Sequence, residues 1–179
     1  MGRQVDVTVT YLRQTARPAF APQPRPDMQI AILRASNPPV HFYRYLYDLI
    51  GRRWNWVSRR MLSDEDLDAI IKNPAVHLYV LYVEGVPAGM AEIDAGDAPV
   101  VDIRFFGLAP EFIGRGLSRF FLSNAIDLAW SLRPTEVRIE TCTLDHPAAL
   151  ALYQKFGFTV FDQRMGRAEL LAGQELCSS

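Results

Sequence analysis

The heptapeptide "FIGRGLS", residues 112–118, is the segment whose composition most directly suggests ligand binding. Gly114 and Gly116 flank one arginine there, between an apolar run and a long helical pattern. Glycine has no Cβ, so its backbone can adopt a positive φ and can approach a ligand closely. The free N–H groups and the positive dipole at a helix start suit a phosphate or a pyrophosphate. The segment therefore predicts either an anion-binding loop or a simple turn.

The spacing of these glycines argues against two common nucleotide-binding motifs. The sequence around them does not match G-x-x-x-x-G-K-[ST], and it contains no G-x-G-x-x-G. A nucleotide triphosphatase or a standard dinucleotide-binding fold is therefore disfavoured. Two glycines around one residue are weak by themselves, because glycines also collect in turns. The neighbouring elements decide between the two interpretations.

The hydrophobic pattern predicts elements in the order β-β-α-α-β-β-β-α-β-α-β. We expect strands at residues 5–12, 28–35, 76–83, 88–94, 100–108, 136–142 and 158–164. We expect helices at residues 40–51, at 63–73, from 117 to a stop at Pro134, and at 146–156, with Ser63 and Asp145 as N-caps. The strand–loop–helix–strand segment at 100–142 is a βαβ unit, which predicts two parallel strands. Short turns elsewhere predict antiparallel pairs, and so a mixed sheet with helices on both faces.

A proline-rich stretch separates the first predicted strand from the rest of the chain. Residues 18–26 carry four prolines and cannot form a helix or a central strand. The predicted organisation is an extra strand and proline-rich loop at residues 1–27, a single domain at 28–170 and a tail at 171–179. A chain of 179 residues can bury one good core and leaves little room for a second. The first strand can pair within the sheet or across a dimer.

Composition and charge narrow the class of protein further. The net charge of −1 lacks the basic excess of nucleic-acid-binding proteins. The one local basic cluster is "GRRWNWVSRR", residues 51–60, in which aromatic residues alternate with arginines; a solvated helix end is the favoured explanation, and salt-sensitive RNA binding stays open as a minor alternative. The 2 cysteines and 3 histidines form no disulfide or metal pattern, which suits a reducing compartment. With no readable signal peptide or membrane-length apolar run, we expect a cytoplasmic protein without metal, nucleic acid or membrane partners.

Two segments resemble a known family. They are "VVDIRFFGLAPEFIGRGLSRFFL", residues 100–122, and "LDHPAALALYQKFGF", residues 144–158. Both are similar to the GNAT superfamily of N-acetyltransferases. The family's Q/R-x-x-G-x-G/A signature falls on residues 113–118, and its N-x-x-A…Y-x-K-x-G-F pattern falls on Asp145, Ala148, Tyr153, Lys155, Gly157 and Phe158. The resemblance covers residues 76–161 and, by element order, 28–73. It implies an α/β fold with a mixed, mostly antiparallel sheet and a central parallel βαβ unit.

The resemblance also implies a reaction, the transfer of an acetyl group from acetyl-CoA to a primary amine. Tyr153 matches the family's tyrosine and is the candidate acid for the departing thiolate, and packing of its ring in the core is the alternative explanation. The variable substrate-binding helices of the family fall on the aromatic-rich residues 43–56. The resemblance places acetyl-CoA on Phe106, Gly107, Leu108, Ile113, Gly114, Arg115, Gly116, Leu117, Ser118, Asp145 and Tyr153.

Acetyl transfer to an amine needs a base, because an amine with a pKa of about 10.4 is protonated at neutral pH. Asp102 lies where the family often places a catalytic glutamate, and a salt bridge to Arg104 is the alternative explanation. Glu92 and Glu140 are further candidates, each in a predicted strand near the same crevice. Cys142 is an acyl-carrying nucleophile in principle, and a buried strand cysteine is the favoured interpretation.

Three positions depart from the family's signature. Ile113 replaces Gln or Arg, Ser118 replaces Gly or Ala, and Asp145 replaces Asn. These departures leave a second function open, a non-catalytic acyl-CoA-binding or regulatory domain on the same fold. The presence of both Asp102 and Tyr153 favours the enzyme. The identity of the amine is not readable from the sequence, and a homodimer is compatible with it.

Overall fold

The computed structural model describes residues 4–20 and 23–170, which form a seven-stranded sheet and four α-helices. The strands are β1 (Gln4–Gln14), β2 (Ile30–Ala35), β3 (Val76–Val83), β4 (Val86–Asp94), β5 (Val100–Leu108), β6 (Glu136–Cys142) and β7 (Thr159–Glu169). The helices are α1 (Val40–Gly51), α2 (Asp64–Ile71), α3 (Leu117–Ser131) and α4 (Ala149–Lys155). The predicted order of helices and strands is confirmed. The predicted tail at 171–179 lies outside the described residues.

The strands lie in the order β2-β3-β4-β5-β6-β1-β7. β5 and β6 are parallel, as the βαβ unit predicts, and the other neighbouring pairs are antiparallel. The first strand of the chain pairs with β6 on one side and with β7 on the other. Of the two arrangements open for this strand, the structure therefore shows pairing within the sheet of its own chain.

The parallel ladder between β5 and β6 is short. It joins Val100 to Glu136 and ends where Ile103 faces Ile139. Beyond that point, β5 stays paired with β4 and β6 stays paired with β1. A bulge places Arg104 outside the regular register of β5 and β4, and such bulges bend a strand. The two central strands therefore separate toward their C-terminal ends and leave a slot in the sheet.

Helices cover both faces of the sheet, as predicted. On one face, α1 and α2 pack on β3 and β4 through a cluster that includes Tyr43, Leu46 and Met90. On the other face, α3 packs on β5 and β6 through Leu122 and Ile126. None of the helices in the described part of the chain has the length and apolar character needed to cross a bilayer.

One predicted helix cap is confirmed and one is wrong. Ser63 caps α2, since its hydroxyl accepts a hydrogen bond of 3.1 Å from the N–H of Asp66. Asp145 does not cap α4, because that helix begins at Ala149, three residues later than predicted from the pattern starting at 146. The Asp145 carboxylate accepts bonds from the Thr141 hydroxyl at 2.9 Å and from the Cys142 N–H at 2.7 Å. It thus closes the end of β6.

Candidate active site

A cavity of about 660 Å³ occupies the slot between β5 and β6. Its walls include Ile139 and Thr141, and also Glu140 and Cys142. Neighbouring residues of a strand point to opposite faces, so side chains from both faces of the sheet line this cavity. The cavity therefore passes through the sheet where the two strands no longer pair. Its two openings are called here the α3 arm and the α1 arm, after the helix that each one borders.

The α3 arm ends at the loop before α3. Gly114 and Gly116 both have positive φ angles, +81° and +74°. A Cβ added to either glycine would meet no atom within 4 Å, so packing does not explain the glycines. Gly116 is the N-cap of α3, and no side chain makes a capping bond to the first turn. The first N–H groups of a helix have no intrahelical partners, so those at the start of α3 can serve an anionic ligand.

Most of the predicted cofactor-binding residues line the cavity. They are Phe106, Gly107, Leu108, Ile113, Gly114, Ser118, Asp145 and Tyr153. Arg115, Gly116 and Leu117 are not among the described lining residues. The Arg115 guanidinium lies 5.2 Å from the ring centre of Phe112, and the Leu117 side chain is fully buried in the core. These three residues can serve a ligand only through the loop backbone or by a side-chain movement.

Gly107 has a packing reason for lacking a side chain. A Cβ there would lie 2.6 Å from Cγ2 of Ile50 in α1. The bulge in this strand falls at Arg104 and not at the glycine. The resemblance associates the segment around Gly107 with a bulged stretch, and the structure moves that bulge toward the start of the slot.

Tyr153 projects from α4 toward the α3 arm. It is 6% exposed, and its ring packs against Phe158 with 6.3 Å between centroids. In the described part of the chain, no hydrogen bond of its hydroxyl is seen. Burial, and next the charge of Asp145, raise the pKa of Tyr153 above its ordinary value. The hydroxyl is protonated at neutral pH, as that of an ordinary tyrosine is, and the raised pKa makes it a weaker acid than free tyrosine.

The Cys142 thiol also lines the cavity but is poorly suited to attack. Burial, and next the Asp145 carboxylate, raise the pKa of Cys142 to about 11. The thiolate is the reactive form of cysteine, and little of it is present at neutral pH with such a pKa. The structure thus favours the interpretation of Cys142 as a structural cysteine.

The α1 arm is walled by aromatic rings. Tyr47, Trp56 and Phe105 contact one another with centroid separations of 5.4, 5.1 and 5.0 Å, and we call them the aromatic wall. Val7 and Val9 of β1 line the same arm. These two valines were not predicted as site residues, because nothing local in the sequence places the first strand beside β6.

The segment 52–58, which follows α1, closes over this arm. The Asn55 side chain donates a hydrogen bond of 3.0 Å to the carbonyl of Glu169 at the end of β7. The ring of Trp54 meets the ring of His146 edge-on, with centroids 5.1 Å apart. The segment is thus tied to both walls of the slot. In the sequence, this segment is marked only by the tryptophans and arginines that are concentrated at residues 51–60.

Two of the three candidate carboxylates lie near the slot. Glu140 lines the cavity. Partial burial raises the pKa of Glu140, and the charges of Asp102 and Asp145 add to this effect, whereas Arg104 opposes it. Asp102 is not among the described lining residues, and its carboxylate lies 3.6 Å from Nη2 of Arg104. Burial raises the pKa of Asp102 as well, although Arg104 and Arg138 oppose the shift. The charge of Asp102 thus contributes to the raised pKa of Glu140, whereas the carboxylates that contribute to the raised pKa of Asp102 are Asp94 and Asp97.

The third candidate, Glu92, is engaged elsewhere. It is completely buried, and one of its oxygens accepts a hydrogen bond from the Tyr43 hydroxyl. The other oxygen accepts a bond of 2.6 Å from Nη2 of Arg59. The Arg59 guanidinium also lies 5.4 Å from the ring centre of Phe105. Glu92 is not among the described lining residues, and its contacts indicate an anchor for the segment after α1.

A family model described as "Acetyltransferase (GNAT) family" matches residues 41–158, which is more than half of the chain. The chain belongs to the GNAT acetyltransferase family. The resemblance recognised in the sequence is thereby confirmed. No curated protein has significant sequence similarity to this chain. The matched region of this GNAT domain begins in α1 and continues through α4, and it excludes β1, β2 and β7.

Solved structures of GNAT proteins share the fold. A GCN5-related N-acetyltransferase from Sphaerobacter thermophilus is 17% identical with a TM-score of 0.65, covering 99% of this chain and 56% of that chain. The ribosomal-protein-S18-alanine N-acetyltransferase from Escherichia coli is 15% identical with a TM-score of 0.59, covering 83% and 99%. AAC(6')-Iy, solved with a bisubstrate analog, is 17% identical with a TM-score of 0.55, covering 73% and 91%. The chain thus spans little more than half the length of the Sphaerobacter protein.

Proposed function

We propose that this protein transfers the acetyl group of acetyl-CoA directly to a primary amine, with both substrates bound at once. The observation that carries the proposal is the cavity that passes through the sheet. One arm ends at open N–H groups at the start of α3, and the other is bounded by the aromatic wall and Glu140. Two substrates that enter from opposite faces can therefore meet in the slot.

The α3 arm has the features that acetyl-CoA needs. The backbone of residues 113–118 suits its pyrophosphate, because the loop presents N–H groups at the positive end of a helix. Its pantetheine arm contains amide groups, which can bond to unpaired strand edges. Such edges exist in the slot, since β5 and β6 have no ladder between them beyond Ile103. AAC(6')-Iy, solved with a CoA-containing analog, supports this assignment by analogy.

In the proposed step, the amine nitrogen attacks the thioester carbonyl carbon. The C–N bond forms, the C–S bond breaks, and the nitrogen then loses a second proton, which replaces the one that the acid gives to the thiolate; before the attack, the ammonium form of the amine has lost its first proton to the base. Glu140 is proposed to accept that proton, because it lines the cavity and its raised pKa makes its carboxylate a stronger base. Tyr153 is proposed to protonate the departing thiolate. Asp102 stays the alternative base, acting from beside Arg104.

Substitution of each carboxylate tests whether Glu140 or Asp102 is the base. Glu140→Gln is expected to lower kcat/KM for the amine by about 10²-fold, the low end for a positioned base. It should also remove from the acidic side of the pH profile the limb that belongs to the carboxylate, while the limb that belongs to protonation of the amine stays. Asp102→Asn, the matched control, should change kcat/KM by less than about tenfold and keep the limb. Loss of this limb in Asp102→Asn, with the limb kept in Glu140→Gln, would show instead that Asp102 is the base.

A second function, non-catalytic acyl-CoA binding, is favoured by the departures from the family signature. Ile113 and Ser118 both line the cavity at the positions where the family has other residues. Release of CoA thiol, measured across a diverse panel of primary amines, tests the enzyme against this alternative. Tight acetyl-CoA binding with no amine-dependent release would support the binding domain.

Substitution in the loop tests the acetyl-CoA site. Gly116→Val is expected to weaken acetyl-CoA binding by about 10²-fold, or about 2.7 kcal/mol, since the +74° φ disfavours a β-branched residue and its side chain would cover the N–H groups. Ile113→Gln should change the Kd by no more than a few-fold, because both residues offer the same backbone N–H. Calorimetry gives both constants.

Gly85→Val is the matched control for backbone strain. Gly85 has a φ of +83° and open space around it, and it lies in the turn between β3 and β4. Both valine variants should lower the melting temperature, and only Gly116→Val should affect binding. Normal acetyl-CoA binding by Gly116→Val would mean that the loop is only a turn.

The arginine-rich segment takes part in internal contacts. Arg59 binds Glu92, and Arg60 lies 2.6 Å from Asp48. Trp54 and Trp56 line the cavity. These contacts favour a role of residues 51–60 in stabilising the fold and lining the α1 arm, rather than in binding RNA. A cytoplasmic location and a homodimer stay predictions.

A further inference from the structure

We infer that the acceptor is a compact primary amine carrying one aromatic or branched aliphatic group, and that Val9 of β1 limits its size. This inference rests on the proposed function and names the substrate class of the α1 arm. It comes from the chemistry of the walls, from the charges around them and from the way the arm is closed.

The walls of the α1 arm are apolar on two sides. The aromatic wall is a set of three rings in mutual contact, so no ring can turn away without losing its packing on the others. On the β1 side, Val9 faces Cys142 across the ladder, and Val7 follows on the same face. A flat ring or a branched alkyl group fits between such walls, because its burial removes apolar surface from water on both sides.

The charges around the arm suit one ammonium group and oppose several. Glu140 and Asp145 are the carboxylates among the described residues that line the cavity. Asp145 is already engaged by Thr141 and the backbone of Cys142. Arg104 and Arg167 line the same cavity and add positive charge. A polyamine or an aminoglycoside would therefore bring several cations to a site with one uncommitted carboxylate.

The closure of the arm restricts length. The segment 52–58 is tied to β7 through Asn55 and to the loop before α4 through the Trp54–His146 contact. A long chain, such as a peptide, would have to pass through these contacts to reach the slot. A compact molecule can be enclosed by them, and its amine can then reach Glu140.

The size limit comes from a strand outside the family-matched region. The match begins at residue 41, whereas Val7 and Val9 belong to β1. β1 lies between β6 and β7, which places Val9 opposite Cys142, two residues after Glu140 on the same face of β6. Specificity for the acceptor is thus set in part by β1, while the α3 arm, which is proposed to bind acetyl-CoA, is built from the matched region.

The test is a steady-state assay of CoA thiol release with 2-phenylethylamine, 3-methylbutylamine, spermidine, kanamycin and a lysine-containing pentapeptide. We expect kcat/KM for the first two amines to exceed that for the other three by at least about tenfold. Preference for spermidine, kanamycin or the peptide would overturn the inference and leave the proposed function intact. Release with none of the amines, despite tight acetyl-CoA binding, would contradict the proposed function itself.

Two variants of β1 test the size limit. Val9→Phe should raise the KM for 2-phenylethylamine at least about tenfold, while the Kd for acetyl-CoA changes less than twofold. Thr8→Phe is the matched control, because Thr8 is a half-buried neighbour that points to the opposite face. It should leave both constants unchanged. Equal KM values for Val9→Phe and the unsubstituted protein would show that β1 does not wall the acceptor.

Discussion

Tyr153→Phe is expected to lower kcat by about 10²–10⁴-fold, the usual range for a positioned acid or base. Tyr153 is buried at the α3 arm, and its hydroxyl carries a proton at neutral pH, since burial raises its pKa further above the ordinary value for tyrosine. Without it, the departing thiolate must take its proton from solvent. The ring itself, which packs on Phe158, is kept by the substitution. The Kd for acetyl-CoA is therefore expected to stay within about twofold.

The kinetic signature of this variant is specific. An acetyl thioester with a more acidic thiol needs less help from an acid, so the loss in kcat should shrink with such a substrate. Tyr79→Phe, which removes a hydroxyl outside the described cavity lining, is the control and should keep full activity. An unchanged kcat for Tyr153→Phe, measured under saturating acetyl-CoA, would remove Tyr153 from the mechanism.

Glu92→Gln is expected to lower the free energy of unfolding by about 3–5 kcal/mol, the usual cost of removing one partner of a buried ion pair. Glu92 is 0% exposed and Arg59 is 16% exposed at the side chain, so the cation left behind is poorly hydrated. The Tyr43 hydroxyl would lose its charged acceptor as well. Urea denaturation measures the change, with the m-value showing whether the transition stays two-state.

Asp64→Asn is the matched control for this variant. Asp64 pairs with Arg44 at 2.7 Å, but its side chain is 73% exposed. Exposed pairs contribute at most about 1 kcal/mol, so a small change is expected. The double variant Glu92→Leu with Arg59→Leu should recover much of the lost stability, because no unpaired buried charge remains. A loss below about 1 kcal/mol for Glu92→Gln would refute the role of Glu92 as a buried anchor.

The parts of the fold with a strong local pattern were predictable from the sequence. The predicted bounds of β3, β5 and β6 agree with the structure, because alternating or continuous apolar residues are bounded there by turn residues. The residues of the α3 arm were also indicated by the sequence, since its glycines and Tyr153 lie in two segments that resemble motifs of the family. These features depend on residues that are close together in the chain.

The features that could not be predicted depend on contacts between residues that are far apart in the sequence. The position of β1 between β6 and β7 cannot be read from its own alternation, and neither can the lining role of Val9. Asp145 matches a helix N-cap by local pattern, but its carboxylate bonds to the end of β6 instead. Glu92 resembled a possible base until its partners, Tyr43 and Arg59, were located in space.

The position of β1 has a consequence for how the chain reaches its folded state. Among the seven strands of the described sheet this one comes first in the chain, yet its two neighbours in the sheet are the last two strands in the chain. Its contacts close very large loops: Gln14, for example, donates a hydrogen bond to the carbonyl of Phe156, 142 residues later. Such contacts carry a high loop-closure entropy and form slowly. During translation, β1 is therefore made well before its partner strands, and completion of the α1 arm is expected to be among the last events in folding of this sheet.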